Sequence, residues 1–157
     1  VTRKEGRFSL YFPSRPPREA EAPTGLFEAL GCPPAPVFRS IRDVLVVLPD
    51  EVAVASLLPD FCALAKLDAW AVIVTAPGDT VDFVSRFFAP RQGIHEDPAT
   101  GSSQCTLGPY WADRLGQSKL KAKQLSAREG DMEIEVDGKS VIISGSCVRI
   151  MAGTLTL

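Results

Sequence analysis

The sequence has few of the residues that most often bind metals. One histidine and four cysteines occur among 157 residues. The cysteines lie 30, 43 and 42 residues apart, at Cys32, Cys62, Cys105 and Cys147. No pair therefore has the short spacing of a zinc or dithiol redox motif. We expect no metal site and four reduced thiols, as in a cytoplasmic protein.

Long apolar runs and an excess of positive charge are also absent. No segment reaches the ~18 to 20 apolar residues that span a bilayer, and the polar start VTRKEGRFSL is unlike a signal peptide. The net charge is −2, which gives no bulk attraction for nucleic acid or an anionic membrane. The basic stretch KLKAK (119–123) alternates with apolar residues and is typical of a solvated strand face. We expect neither a nucleic-acid nor a membrane partner.

The hydrophobic pattern predicts an α+β fold with many short, mostly antiparallel strands and a few helices. Apolar residues form 45% of the chain, as in ordinary globular domains. The predicted strands cover 7–12, 43–49, 69–77 and 82–90, followed by KLKAKQLS, DMEIEVD, SVIISG, CVRIM and GTLTL in the tail. The predicted helices cover 23–31, 51–58, 59–67 and 102–115.

Several local signals place the ends and turns of these elements. Thr24 is a candidate N-cap and Gly31 a stop for the first helix. Pro109 lies inside the helix 102–115, whose Trp111 face is apolar enough for a central position, and should kink it. The Asp137-Gly138 pair predicts a hairpin.

The stretch GIHEDPATGSSQC (93–105) is the most unusual in the chain. Two adjacent acids precede a proline turn, and Gly101-Ser102 opens a helix. A helix N-terminus presents free N–H groups and a positive dipole end, so it can hold a carboxylate or phosphate. Asp97 would then lie beside this anion site, where an acid can move protons. From composition alone, a generic turn followed by an N-cap is the more common explanation.

The segment SRFFAPRQGIHEDPATGSSQCTLGPYW (85–111) closely resembles the signature of the phenazine-biosynthesis isomerase family, the PhzF-like proteins with the diaminopimelate-epimerase-like fold. LSAREGDMEIEVDGKSVIISG resembles the strand-turn-strand tail of that family, and LYFPSRPP its crossover between lobes. The resemblance implies two lobes, each a curved, mostly antiparallel sheet wrapped around a central helix, with the active site between them. It also implies a cofactor-independent isomerase that transfers protons on a small carboxylate-bearing substrate.

The resemblance assigns roles to four residues of this loop. Asp97 would be the catalytic acid or base, and Thr100, Gly101 and Ser102 would bind substrate. The glutamate and Gly-His motif of the family's first lobe have no counterpart here, and Gln104 stands where many relatives carry histidine.

This chain therefore resembles the C-terminal lobe of such a protein. We expect a crossover strand at 1–13, the lobe at 14–152 and a terminal strand at 153–157 that returns to the missing lobe. The partner would be that lobe or a second chain, with a homodimer as one arrangement. The chain alone should be inactive. The alternatives are a non-catalytic interaction module of the same family and, more weakly, a thiol-dependent racemase that uses Cys105.

Four other residues near the loop have two interpretations each. His95 could titrate near a cleft but is typical of a solvated loop residue. Glu96 should be structural or face solvent, because adjacent side chains on an extended chain point to opposite sides. Arg86 could steer an acidic substrate, although a structural role is more common. Cys105, one turn inside the helix, is typical of a buried small thiol.

Overall fold

The structure is a computed structural model that describes residues 1–4, 7–148 and 150–154. The strands in this part are β1 (Thr2–Lys4), β2 (Arg7–Pro13), β3 (Arg18–Glu19), β4 (Val37–Arg39), β5 (Asp43–Val47), β6 (Ala71–Pro77), β7 (Phe83–Phe88), β8 (Lys119–Gln124), β9 (Gly130–Asp137) and β10 (Ser140–Ser146). The helices are α1 (Leu26–Leu30), α2 (Glu51–Ala55), α3 (Phe61–Leu64) and α4 (Gly101–Leu115), with a 3₁₀ turn at Pro90–Gln92.

All ten described strands form one sheet, in the order β1-β2-β10-β9-β8-β7-β6-β5-β4-β3. The pairs β5–β6 and β7–β8 are parallel, and the other neighbours are antiparallel. The predicted α+β class with a mostly antiparallel sheet is therefore confirmed. The expected crossover strand at 1–13 is instead two antiparallel strands, β1 and β2, and the short strands β3 and β4 were not predicted. Two or three residues are too few for a recognisable period, and pairing with longer neighbours defines these strands.

The sheet has two apolar faces. Side chains alternate along a strand, so Val44 and Val46 face one side while Leu45 faces the other. The first side packs against α1, α2 and α3, and the second against α4. Strand β5 is buried along its whole length, as its continuous apolar run predicts.

Helix α4 is the central element on the second face. Trp111 is 2% exposed, stacks on Phe83 with a 5.6 Å centroid separation, and donates from Nε1 to Thr75 Oγ1 at 3.0 Å. A Cβ added to Gly108 would lie 3.1 Å from Ile134 Cγ2. The helix therefore approaches the sheet at a distance that a larger residue would prevent. The predicted central position of this helix is confirmed.

Pro109 has a specific structural consequence. It has no N–H group to donate to the carbonyl of Cys105, four residues earlier. That carbonyl instead accepts the backbone N–H of Arg15 at 2.7 Å. The proline therefore lets the segment after β2 dock on α4.

The first three helices exist as predicted but with different ends. Helix α1 ends at Gly31, which has a φ of 72°, but its N-cap is Gly25 with a φ of 84° and not Thr24. Helix α3 is shorter than 59–67, and Asp60 caps its start by accepting the N–H of Ala63 at 3.0 Å. Asp50 caps α2 in the same way, which confirms that 51–58 contains a helix.

The tail agrees with the sequence up to β10. Strands β9 and β10 form the predicted hairpin, in which Asp137 pairs with Ser140 and Gly138 has a φ of 55°. The predicted strand CVRIM is wrong for its described residues, which have no regular structure. Strand β10 ends at Ser146, opposite the first residue of β2. The expected strand 153–157 lies largely outside the described residues.

Among the described residues, no helix has both the length and the apolar character needed to cross a bilayer.

Candidate functional site

The acidic loop connects the end of β7 to the start of α4. After the 3₁₀ turn the chain folds back on the strand, and the N–H of Asp97 donates to the carbonyl of Phe87 at 3.1 Å. The loop also packs on the first residue of β9, because a Cβ on Gly130 would lie 3.2 Å from the Cβ of Ala99. The loop is therefore fixed to two strands before the helix begins.

The Asp97 side chain is half-buried and forms a local turn. Its Oδ1 accepts the backbone N–H of Ala99 at 3.3 Å, the arrangement typical of Asp before a turn. Its Oδ2 makes no hydrogen bond within the part of the chain that the structure describes. One carboxylate oxygen thus stabilises the loop.

Gln124, at the end of β8, joins the loop to the helix. Its Oε1 accepts the N–H of Thr100 at 2.8 Å, and its Nε2 donates to the carbonyl of Asp97 and to Thr100 Oγ1. The side chain is 1% exposed, so these bonds form away from water and are costly to lose. Two residues further on, Ser126 Oγ donates to the carbonyl of Pro98 at 2.8 Å.

The first turn of α4 begins one residue earlier than predicted. Thr100 is the N-cap and is buried, but its side chain makes no capping hydrogen bond. Ser103 Oγ donates to the carbonyl of Thr100 at 2.8 Å, so it does not cap an N–H group either. Ser102 and Gly101 are half-buried. In the described chain, no side chain caps this end of the helix.

Packing does not require glycine at position 101. A Cβ there would meet Phe12 and Ile143 at 3.8 and 3.9 Å, ordinary van der Waals separations. The described neighbours would therefore tolerate a methyl group at this position.

Glu96 and Arg86 attach the other side of the loop to the helical layer. The guanidinium makes two hydrogen bonds to the Glu96 carboxylate, at 2.8 and 3.0 Å. Arg86 Nη1 also donates to the carbonyls of Val54 and Leu57, at the end of α2. The structural interpretation of both residues is confirmed. His95 is exposed and stacks on Phe61, 4.6 Å between ring centroids, which agrees with a loop position.

Cys105 is 2% exposed, and burial raises the pKa of its thiol. A neutral, buried thiol is a poor nucleophile, so the buried interpretation is confirmed. Nearby Asp43, at the start of β5, is 3% exposed. Burial raises the pKa of its carboxyl, and the positive charges of Arg42 and Arg15 oppose this. Arg42 Nε lies 3.5 Å from Asp43 Oδ1.

The structure thus brings Asp97, Thr100 and the helix start together through one glutamine. Sequence reasoning did not find Gln124, Ser126 or Asp43. A strand-end glutamine has no recognisable motif, and only the pairing of β8 beside β7 and β9 places it under the loop. Gln104 was assigned no chemistry. It is fully buried, and its Oε1 has no hydrogen-bond partner among the described residues.

A family model described as phenazine biosynthesis-like protein matches residues 14–153. The chain belongs to the phenazine biosynthesis-like family. It is also 46% identical, over all of its 157 residues, to each of two uncharacterized isomerases of Pseudomonas aeruginosa. In each case it covers 60% of the relative, so it spans less than two thirds of the length of these proteins.

Solved structures of the family support the same assignment. The chain matches a PhzF-family protein of Enterococcus faecalis with a TM-score of 0.89 and 45% identity, covering 93% of this chain and 56% of that one. A putative phenazine biosynthesis protein of Clostridium difficile has a TM-score of 0.89 and 40% identity, covering 100% of this chain and 61% of that one. The phenazine biosynthesis-like fold predicted from the loop signature is therefore confirmed.

Proposed function

We propose that the complete protein is a cofactor-independent isomerase that moves a proton on a small carboxylate-bearing substrate. In this proposal Asp97 is the acid or base of the present lobe. The first turn of α4, with Thr100, Gly101 and Ser102, binds the substrate carboxylate. The partner acid or base comes from the part of the relatives that this chain does not span, so the chain alone is inactive.

The observation that carries the proposal is the linkage of an acid to an uncapped helix start. Gln124 donates to the carbonyl of Asp97 and to Thr100 Oγ1, and it accepts from the Thr100 N–H. The acid and the N–H groups that follow Thr100 therefore belong to one rigid hydrogen-bonded unit. A carboxylate held at those N–H groups would fix the rest of a small molecule beside Asp97.

Oδ2 of Asp97 makes no hydrogen bond to the described residues, which supports the proton-transfer role. Because Oδ1 is occupied by Ala99, the carboxylate has a fixed orientation and one oxygen left for a substrate proton. Both Pseudomonas aeruginosa relatives are named as isomerases, which fits a reaction that moves a proton within one molecule. No step of this chemistry needs a redox group.

The test is proton exchange in the complete protein. A panel of small carboxylic acids with acidic C–H groups is incubated with the protein in D₂O, and deuterium incorporation is followed by NMR. Asp97→Asn should slow the exchange of any active compound by ~10² to 10⁴-fold. Asn can still accept the Ala99 N–H, so thermal stability should change by at most about 1 kcal/mol. Unchanged exchange in this variant would remove Asp97 from the chemistry.

A matched control is Glu96→Gln, which alters the neighbouring acid on the same loop. Glu96 is paired with Arg86, so its loss should weaken the loop without removing the acid that faces the substrate. We expect a smaller effect on exchange and a larger effect on thermal stability than for Asp97→Asn. The reverse order would make Glu96 the reactive carboxylate.

A further inference from the structure

We propose that Gln124 is a positioning residue that keeps the first turn of α4 uncapped. It does so by binding the Thr100 hydroxyl, the group that would otherwise cap the helix. The value of an uncapped turn rests on the proposed function, in which those N–H groups bind a carboxylate. The capping itself can be tested without any substrate.

The starting point is the unusual behaviour of Thr100. A threonine at an N-cap ordinarily accepts a hydrogen bond from the N–H group two or three residues later. Thr100 has the extended backbone of an N-cap, with φ −103° and ψ 108°, but its side chain makes no such bond. Its Oγ1 instead accepts from Gln124 Nε2 at 3.1 Å. The hydroxyl that usually caps a helix is therefore hydrogen-bonded to Gln124 and not to a helix N–H group.

The geometry of Gln124 makes this diversion stable. Its Oε1 is occupied by the Thr100 N–H, which fixes the direction of the amide group. Both protons on Nε2 are then used, one by the carbonyl of Asp97 and one by Thr100 Oγ1. Because the amide is buried, it cannot turn away from any of these partners without leaving a polar group unpaired.

The consequence lies in the N–H groups that follow. Gly101, Ser102 and Ser103 are the first three residues of α4, whose N–H groups have no acceptor within the helix. Among the described residues no side chain accepts from these groups, which lie at the positive end of a 15-residue helix. Gln124 also donates to the Asp97 carbonyl, so it fixes the position of Asp97 relative to the first turn of α4.

The experiment compares amide hydrogen exchange of Ser102 and Ser103 by NMR in the 157-residue chain. Gln124→Met removes the three hydrogen bonds and frees the Thr100 hydroxyl to cap. We expect at least one of the two N–H groups to exchange several-fold more slowly in this variant. Adding Thr100→Val, which keeps the shape but lacks the hydroxyl, should restore the original rate. Ser126→Ala, which loosens the same loop at Pro98, is the matched control and should give no slowing.

Two results would overturn the proposal. One is a folded Gln124→Met variant whose Ser102 and Ser103 exchange no more slowly than in the unmodified chain. The other is slowing that persists when Thr100→Val is added. If Gln124→Met does not fold, Thr100→Val alone tests the premise that Thr100 does not cap the helix. We expect it to leave both exchange rates unchanged, and faster exchange would show that Thr100 already caps the helix.

Acetate titrations of the same variants separate this proposal from the proposed function. The Gly101 and Ser102 amide signals of the unmodified chain should shift saturably at constant ionic strength. Binding should weaken about fivefold or more in Gln124→Met and recover when Thr100→Val is added. If the unmodified chain shows no saturable shift, the carboxylate site is refuted, while the exchange rates still decide whether Gln124 prevents capping.

Discussion

The two ends of α4 are held by different physical forces. The second half, around Gly108 and Trp111, is fixed by close apolar packing against the sheet. The first turn is fixed by hydrogen bonds at Thr100: its N–H donates to Gln124 Oε1, its Oγ1 accepts from Gln124 Nε2, and its carbonyl accepts from Ser103 Oγ. Packing forces are short-ranged and non-directional, whereas hydrogen bonds hold particular atoms in particular directions. The difference indicates that one half of the helix specifies the fold and the other specifies the position of a few polar groups.

Among substitutions that test the two halves of α4, Trp111→Ala should lower stability the most. The change removes a buried ring that stacks on Phe83 and donates to Thr75. It should lower the free energy of unfolding by about 3 to 5 kcal/mol, as large-to-small core changes do. Chemical denaturation measures the loss. Trp70→Ala is the control, because Trp70 is 36% exposed and should cost clearly less. Equal losses would mean that packing on α4 is not what stabilises the lobe.

Replacing Gly101 or Gly108 with alanine should show directly that packing is tight in the second half of α4 and not in its first turn. Gly108→Ala places a methyl group 3.1 Å from Ile134 and 3.3 Å from Val141, so it should destabilise the chain by about 1 to 3 kcal/mol. Gly101→Ala meets only ordinary contacts and should change stability by at most about 1 kcal/mol, in either direction. Thermal melting of both variants gives the comparison.

The same pair also distinguishes packing from binding. If the backbone at position 101 approaches a ligand closely, Gly101→Ala should weaken acetate binding despite its near-normal stability. A Gly101→Ala chain that binds as well as the unmodified one would leave the glycine without a ligand-binding reason. A Gly108→Ala chain of unchanged stability would contradict the close approach of α4 to β9 and β10.

The same contrast explains which features could be predicted from the sequence. The buried strand β5 could be predicted from its continuous apolar run, because both of its faces are covered, and α4 from apolar residues at helical spacing. The Asp97 loop could be recognised from its own residues and its family signature. Gln124 could not, because it is 27 residues from Asp97 and meets the loop only through strand pairing. The N-cap at Thr24 was wrong because a glycine with positive φ can start a helix without a side-chain cap.

The smallest expected effect concerns Asp43, a buried carboxyl near the first half of α4. Burial raises its pKa in the folded chain above the ordinary value of 3.8. The folded chain therefore holds this proton more tightly than the unfolded chain does. Stability from this residue is present at pH below 3.8 and is lost as the pH rises through the folded pKa. For a single group the slope cannot exceed about 1.4 kcal/mol per pH unit.

The measurement is the free energy of unfolding of the original chain and of Asp43→Asn across this pH range. Asn does not titrate, so the difference between the two curves isolates the carboxyl. The original chain should lose stability relative to the variant as the pH rises above 3.8. The opposite trend would mean that Arg42 and Arg15 outweigh burial and hold Asp43 as a buried ion pair. In that case charge would stabilise the sheet beside the first half of α4, in addition to the hydrogen bonds that hold its first turn.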